Sequence, residues 1–217
     1  MNQFKLRLKG VVLTILSFLL VVGLGTPAFG SVVTRFTAPT SQNPGDAQML
    51  NVQDVLAREA DLNVKAAELE FLAQGIPSSG LKKYVAVMSG SEIVPKGVRT
   101  DARGAVGAAL AGNRLIVRGS FRALSSGLRD YATDPLDPPN PNITSALHIH
   151  RGSPMENGPF QYALDVMVNS MGTGGSATGE YTLTDEQVAA LNNNMLYVDL
   201  HTTRYRAGEL RAILMEY

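Results

Sequence analysis

"NRLIVRGSFRAL", residues 113–124, alternates apolar and polar side chains, and this alternation decides the fold class. Leu115, Val117 and Phe121 fall on one face of an extended chain, because successive side chains of a strand point to opposite faces. The polar Arg118 and Arg122 fall on the other face. Such a pattern is typical of a strand with one face in a core and one in solvent. We therefore predict a half-buried β-strand here.

Similar runs recur from residue 81 to the end of the chain, separated by turns rich in Gly, Pro and Asn. About seven or eight short strands predict an all-β domain over residues 81–217, built as a sandwich or a barrel. The further strand candidates are KYVAVMSG (83–90), RGAVGAAL (103–110), ITSALHIH (143–150), FQYALDVMV (160–168), SATGEYTL (176–183), MLYVDLHT (195–202) and GELRAILM (208–215).

Two stretches interrupt the strands. The proline-rich DYATDPLDPPNPN, residues 130–142, is predicted to be a surface loop, because proline cannot donate to a sheet ladder. TDEQVAALNNN predicts a short helix near residues 184–193, with Thr184 as its N-cap and Gln187 at the capping-box position.

A helical pattern covers residues 48–76, where apolar side chains recur at near-helical intervals among charged ones. Gly75 and Pro77 end this segment, as a Gly followed by Pro usually does. Asp61 or Asn63 is a candidate N-cap for a second short helix, so the segment is interpreted either as one helix or as a broken pair. Such a helix usually packs on its own domain, and the alternative is that it binds a partner.

The first 30 residues have the pattern of a secretory signal peptide. Lys5, Arg7 and Lys9 precede the apolar run VVLTILSFLLVVGLG, and the small residues Ala28 and Gly30 follow at a spacing suited to cleavage. The apolar run is shorter than the roughly 20 residues that span a bilayer. We therefore expect a secreted, periplasmic or extracellular protein without a membrane span after cleavage.

Residues 31–47 are rich in Ser, Thr, Pro and Gly and are interpreted as a linker. The whole chain carries 19 basic and 19 acidic side chains, which argues against a nucleic-acid partner. It has no cysteine, so disulfides do not contribute to its stability.

Two of the three histidines lie one residue apart in the predicted strand ITSALHIH. His148 and His150 therefore share one face of that strand. In MLYVDLHT the same alternation places Asp199 and His201 on one face. If the two strands are neighbours, three imidazoles converge, with Asp199 or Asp165 nearby.

This convergence leaves two interpretations open. Three imidazoles with an open fourth position form a known kind of zinc site, and imidazole also binds copper. Alternatively, each histidine hydrogen-bonds a carbonyl or a carboxylate and orders a turn. The sequence contains no Gly-x-Ser-x-Gly nucleophile motif, so an enzymatic interpretation rests on the histidines alone.

Five motifs, in this order, resemble the CHRD domain, the repeat first described in the developmental antagonist chordin and also found in exported bacterial proteins. They are VAVMSGSEIVP (85–95), GAVGAAL (104–110), ALHIHRGSPMENGPFQYAL (146–164), TGEYTLTDEQVAAL (178–191) and LYVDLHTTRYRAGELRAIL (196–214). The resemblance covers about residues 81–215. It implies an antiparallel Greek-key or immunoglobulin-like β-sandwich of extracellular type, without an established enzymatic activity.

The resemblance also implies a set of motif residues. Asp199 stands where the family commonly has Asn, which leaves a carboxylate near the histidines, as either a metal ligand or an ion-pair partner. The proline loop at 130–142 is longer than usual for the family. The positions that match the family pattern are His148, His150, Arg151, Gly152, Asn157, Gly158, His201, Thr202, Gly208, Glu209 and Arg211.

A metal-free account of these residues rests on charge pairs. Glu209 and Arg211 share one face of the last predicted strand, and either is positioned to pair with Arg151 or Asp199 across neighbouring strands. In this account the loop around RGSPMENGP receives hydrogen bonds from His148, His201 and Thr202.

We expect from the sequence an exported, non-enzymatic CHRD module of the cell envelope or extracellular space that binds an unidentified protein or envelope partner and needs no cofactor. The alternative is a copper- or zinc-binding protein that uses His148, His150 and His201. Their spacing is similar to that of the copper ligands of Cu/Zn superoxide dismutase, another β-sandwich. A dismutase needs additional zinc-binding histidines and normally a disulfide, whereas this chain has three His and no Cys.

Overall fold

The computed structural model describes residues 51–217, and the predicted signal peptide (1–30) and linker (31–47) lie outside the described residues. Two antiparallel sheets enclose the main apolar core, which confirms the predicted all-β sandwich. The strands are β1 (Lys82–Met88), β2 (Arg103–Ala111), β3 (Arg114–Arg122), β4 (Leu147–Arg151), β5 (Phe160–Ala163), β6 (Asp165–Val168), β7 (Gly175–Thr182), β8 (Leu196–Leu200), β9 (Leu210–Ile213) and β10 (Met215–Glu216). The helices are α1 (Val52–Ala73) and α2 (Asp185–Asn192), with short 3₁₀ turns at Ser78–Gly80 and Gly90–Glu92.

The six-stranded sheet has the order β10-β1-β2-β3-β7-β6, and the four-stranded sheet has the order β5-β4-β8-β9. The inner faces of both sheets supply the core. Val106, Leu115 and Val117 contribute from the larger sheet, and Ile149 and Val198 from the smaller one. All five side chains are at most 1% exposed. Because side chains alternate along a strand, burying Ile149 and Val198 directs their neighbours in sequence to the outer face of the smaller sheet.

Helix α1 packs on the outer face of the larger sheet. Its buried residues recur every three or four positions and contact β2 and β3, where Ala109 and Ile116 are fully buried. Gly107 of β2 allows this close approach, because a Cβ atom there would overlap the backbone of α1 at Val64. The expectation that the second face of β3 meets solvent is therefore wrong where α1 covers it. The buried residues of α1 are Leu56, Ala60, Val64, Ala67 and Phe71.

The segment before the sandwich forms one unbroken helix, and neither candidate cap acts as one. Asp61 forms an ion pair with Lys65, at 2.9 Å. Asn63 donates a hydrogen bond from Nδ2 to the carbonyl oxygen of Ala105 in β2, at 2.9 Å. Both side chains bind partners other than the backbone of α1, so they do not compete for its helical hydrogen bonds. Helix α2 carries the predicted capping box between Thr184 and Gln187.

Three strand candidates are shorter than predicted or divide. The run ITSALHIH becomes a strand only at Leu147, because the Ser145 hydroxyl accepts from the Leu147 amide and forms a local turn. FQYALDVMV and GELRAILM each divide between the two sheets, at the fully buried Leu164 and Leu214. These leucines occupy the core as the chain crosses from one sheet to the other. Within residues 51–217, no helix has the length and apolar character needed to cross a membrane.

Candidate metal centre

The outer face of the smaller sheet brings all three histidines together. Strands β4 and β8 pair antiparallel with His148 opposite Asp199 and His150 opposite Tyr197, and His201 directly follows β8. This register places the imidazoles on the side of the sheet that faces away from the core. The alternation of side chains predicted this common face, and the structure supplies the strand pairing that the sequence left open.

The Asp199 carboxylate lies at the centre of the cluster. Its Oδ1 atom is 3.6 Å from Nδ1 of His148, 3.3 Å from Nε2 of His150 and 3.2 Å from Nε2 of His201. The four candidate ligand atoms all lie within 4.8 Å of one another. The other predicted carboxylate, Asp165, is wrong as a member of this cluster, because it lies exposed on β6 of the opposite sheet.

The outer ring nitrogen of each histidine is bound to a backbone carbonyl. His148 Nε2 lies 2.7 Å from the Ser145 oxygen, His150 Nδ1 3.1 Å from the Gly158 oxygen, and His201 Nδ1 3.0 Å from the Arg206 oxygen. A carbonyl only accepts hydrogen bonds, so these partners assign the ring proton to the outer nitrogen. In a neutral imidazole the inner nitrogen then carries a lone pair, and all three lone pairs point toward the Asp199 carboxylate.

Three of the four inner atoms are buried without hydrogen bonds. Nε2 of His150, Nε2 of His201 and Oδ1 of Asp199 are shielded from solvent, and none has a hydrogen-bond partner within residues 51–217. Buried polar atoms are normally satisfied, so a group of acceptors that face one another is unfavourable without a cation between them. The same outer bonds are typical of metal-binding histidines, whose second nitrogen is held by a carbonyl or carboxylate.

The titration of the cluster reflects the same need for positive charge. Burial lowers the pKa of His148, which favours its neutral form. Burial also acts to lower the pKa of His201, but the Asp199 carboxylate outweighs it and raises that pKa. Burial alone would raise the pKa of Asp199, yet His201 and the contacts with the other rings hold it well below its usual value. The raised pKa of His201 favours its protonated form beside the Asp199 carboxylate.

Aromatic rings surround the cluster. The Tyr131 ring lies 5.4 Å from the His148 ring and 6.3 Å from that of His201, and the Phe160 ring lies 5.5 Å from His148, centroid to centroid. Tyr197 stacks on His150 at 5.1 Å with an interplanar angle of 6°. Sequence reasoning missed Tyr131 and Phe160, because Tyr131 belongs to the proline loop and Phe160 to an edge strand, and neither carries a metal-ligand signal.

The predicted charge pairs of Arg211 and Glu209 do not form. Arg211 is buried and donates to the carbonyl oxygens of Ser153 (3.1 Å) and Glu156 (2.7 Å) and to Oδ1 of Asn157 (2.9 Å). Its guanidinium lies 3.7 Å from the Tyr197 ring centroid. Arg211 therefore orders the loop after β4 instead of pairing with Asp199. Arg151, the predicted partner of Glu209, is exposed.

Glu209 forms a separate buried network. Its carboxylate accepts hydrogen bonds from the hydroxyls of Thr100 and Thr202 and from the Ser125 amide. These partners join the turn after β8 to the loops beside β2 and β3. Thr202 therefore hydrogen-bonds Glu209 and not the RGSPMENGP loop as predicted, because Glu209 directly precedes β9 and its side chain turns toward these loops.

The loop expectation also changes for the histidines. His148 and His201 were predicted to contact the RGSPMENGP loop, but they bind the carbonyls of Ser145 and Arg206 outside it. The histidine that contacts this loop is His150, through the Gly158 oxygen. Gly158 is required at this position, because a Cβ atom would overlap the Arg151 oxygen and would also press on Gly152. Gly208 adopts a φ of 129°, in the region that favours glycine.

The fold and the cluster define a two-sheet antiparallel β-sandwich with a buried histidine–carboxylate group on the outer face of one sheet. Residues 84–214, more than half of the chain, match the family model of the CHRD domain, and the chain belongs to this family. This match confirms the resemblance seen in the sequence motifs. No curated protein and no solved structure matched the chain.

Proposed function

We propose that this protein is an exported, non-enzymatic CHRD module that binds one zinc or copper ion through His148, His150, His201 and Asp199. The observation that carries the proposal is the convergence of three imidazole lone pairs on a buried carboxylate, each imidazole being held by a carbonyl at its outer nitrogen. A divalent cation satisfies all four acceptors at once.

The donor set favours transition metals. Imidazole nitrogen suits zinc and copper, whereas calcium and magnesium prefer sets made of oxygen ligands only. Ligand atoms around a tetrahedral zinc ion lie about 3.3 Å apart, given zinc–nitrogen bonds of roughly 2.0 to 2.1 Å. The separations of 3.2 to 3.6 Å between Asp199 Oδ1 and the ring nitrogens are close to this value. The four candidate ligand atoms lie within 4.8 Å of one another, and side-chain rotation brings the set onto one ion.

The other parts of the proposal rest on different observations. Export is supported by the leader pattern of residues 1–30 and by the extracellular type of the family. Asp199 fills the fourth position of the set, which fits an ion that stabilises the fold better than one that binds substrate. We therefore assign the module a binding or structural role in the cell envelope or extracellular space, with a protein or envelope component as partner.

Elemental analysis of the full chain, purified without a histidine tag, tests the metal proposal. We expect zinc or copper close to one ion per chain, either as purified or after incubation with each metal and removal of the excess. His150→Gln and Asp199→Asn should lose the ion. Asp165→Asn, which removes an exposed carboxylate on the opposite sheet, should retain it. A wild-type chain that binds neither metal before or after incubation contradicts the proposal and leaves the cluster as a proton-bridged structural element.

A further inference from the structure

The outward side of the metal centre is covered by two aromatic side chains. Tyr131 lies against His148 and His201, and Phe160 lies against His148 and His150, with ring centroids 5.4 to 6.3 Å apart. Three of the four candidate ligand atoms beneath this cover are shielded from solvent. An external ligand therefore reaches a bound ion only when one of the covering rings moves.

The two rings differ in how they are held. Phe160 is part of strand β5, whose pairing with β4 places residue 160 opposite His150. Tyr131 belongs to the proline loop, which is held in place by the buried Arg129 and by an ion pair between Arg206 and Asp134. The Arg129 guanidinium lies 4.5 Å from the Tyr131 ring centroid and forms an ion pair with Asp134 at 2.9 Å. Tyr131 is the covering ring that can move without breaking a strand pairing.

Arg129 also connects the loop to a candidate ligand. Its Nη1 donates to the Arg206 oxygen at 3.2 Å, and the same oxygen is bound by Nδ1 of His201. Its backbone amide donates to the His201 carbonyl oxygen at 3.1 Å. Both the side chain and the backbone of Arg129 thus fix the position of the loop relative to the metal centre.

Space for movement exists beside the ring. Tyr131 lines a cavity of about 430 Å³ together with Pro135, Leu136, Pro141 and Ile143 of the same loop region. A tyrosine ring that leaves the imidazoles can enter this cavity without displacing a core side chain. The prolines, Leu136 and Ile143 supply an apolar part of the cavity wall that suits an aromatic ring, beside the polar Asp130, Asn140 and Thr144.

We propose that Tyr131 controls the access of small anions to the metal centre. The inference rests on the proposed function. A divalent ion with three neutral imidazoles and one carboxylate keeps a net positive charge, and Arg129 adds another nearby, so the external ligand that this site favours is a small anion. With Tyr131 in place the ion is closed to such ligands, and removing the ring opens a fifth coordination position.

The test uses the full chain loaded with Co(II), whose visible spectrum reports coordination number, and azide as the probe anion. Azide is titrated into the wild type, Tyr131→Ala, Tyr131→Phe and Asp165→Asn. Tyr131→Ala should bind azide about tenfold more tightly than the wild type, or better. Tyr131→Phe keeps the covering ring, and Asp165→Asn changes an exposed residue of the opposite sheet, so both should behave like the wild type.

The outcomes separate this inference from the proposed function. If the wild-type chain takes up Co(II) and binds azide as tightly as Tyr131→Ala, the inference is overturned while the metal site stands. If the wild type takes up no Co(II), zinc or copper, the proposed function and this inference fail together. If Tyr131→Ala does not fold, Tyr131→Val replaces it with a branched apolar side chain, and the same gain in azide affinity is expected.

Discussion

Replacing Asp199 by asparagine distinguishes a metal centre from a purely structural cluster, because it changes one charge while keeping the shape of the side chain. In the metal-free protein the new amide donates hydrogen bonds to inner ring nitrogens that otherwise face a carboxylate. The stability of the metal-free chain should therefore change by only about 1 kcal/mol, the usual net value of a hydrogen bond. The metal-bound protein, in contrast, loses a direct anionic ligand.

The size of the metal effect follows from linkage. Losing an outer partner of a metal ligand costs about 10- to 100-fold in affinity, so losing Asp199 itself should cost about 100-fold or more. At a free zinc concentration 100 times the wild-type Kd, zinc stabilises the wild type by about 2.7 kcal/mol and Asp199→Asn by about 0.4 kcal/mol. For a domain of this size the difference corresponds to roughly 5 to 9 °C in Tm.

The assay is thermal unfolding of the full chain with zinc and with a chelator, followed by circular dichroism. The zinc-dependent gain in Tm should be large in the wild type and in Asp165→Asn, and nearly absent in Asp199→Asn. Equal gains in the wild type and Asp199→Asn would refute the assignment of Asp199 as a ligand. Equal Tm values with zinc and with chelator in the wild type would refute the metal site itself.

Three further predictions concern the supports of the site and of the fold. Gly158→Ala should lower stability by about 1 to 3 kcal/mol and weaken zinc binding, because the added Cβ overlaps the end of β4 and displaces the carbonyl that holds His150. Gly127→Ala is the control, because a Cβ atom there meets nothing within 4 Å. Both variants are measured by thermal unfolding and by zinc titration. Gly107→Ala should loosen α1 and speed its cleavage by protease, whereas Gly80→Ala should not. In the metal-free chain, the raised pKa of His201 contributes stability that is fully present below the unfolded pKa of about 6.5 and is lost as the pH rises through the folded value. A urea titration series from about pH 6.5 upward should show this decline in the wild type and not in Asp199→Asn.

The side of the strand on which each histidine lies was predictable from the sequence, but the neighbouring strands and loops that surround it were not. Alternation along a strand depends only on local geometry, so it correctly placed His148 and His150 on one face of their strand, and Asp199 and His201 on one face of theirs. The capping box of α2 was predictable for the same reason. Which strands are neighbours depends on long-range packing, and the sequence left that condition open.

Contacts made by loops were the least predictable part. Arg211 was expected to pair with a carboxylate, yet it binds backbone oxygens of the loop at residues 153–157. Tyr131 was placed in a surface loop, yet its ring contacts two histidines. Both errors have one physical origin: a loop conformation determines which carbonyls and rings reach the site, and neither periodicity nor composition encodes that conformation.

Residues of the family pattern that lie outside the histidine–carboxylate cluster fix the backbone that positions the cluster. Arg211 fixes the loop that ends at Gly158, and the Gly158 oxygen sets the proton position on His150. A histidine needed only to order this loop would leave its second nitrogen free to meet water. Nε2 of His150 is instead buried against the Asp199 carboxylate, as is Nε2 of His201. Placing four acceptors together is unfavourable without a cation among them, and this arrangement is the physical basis of the proposed metal site.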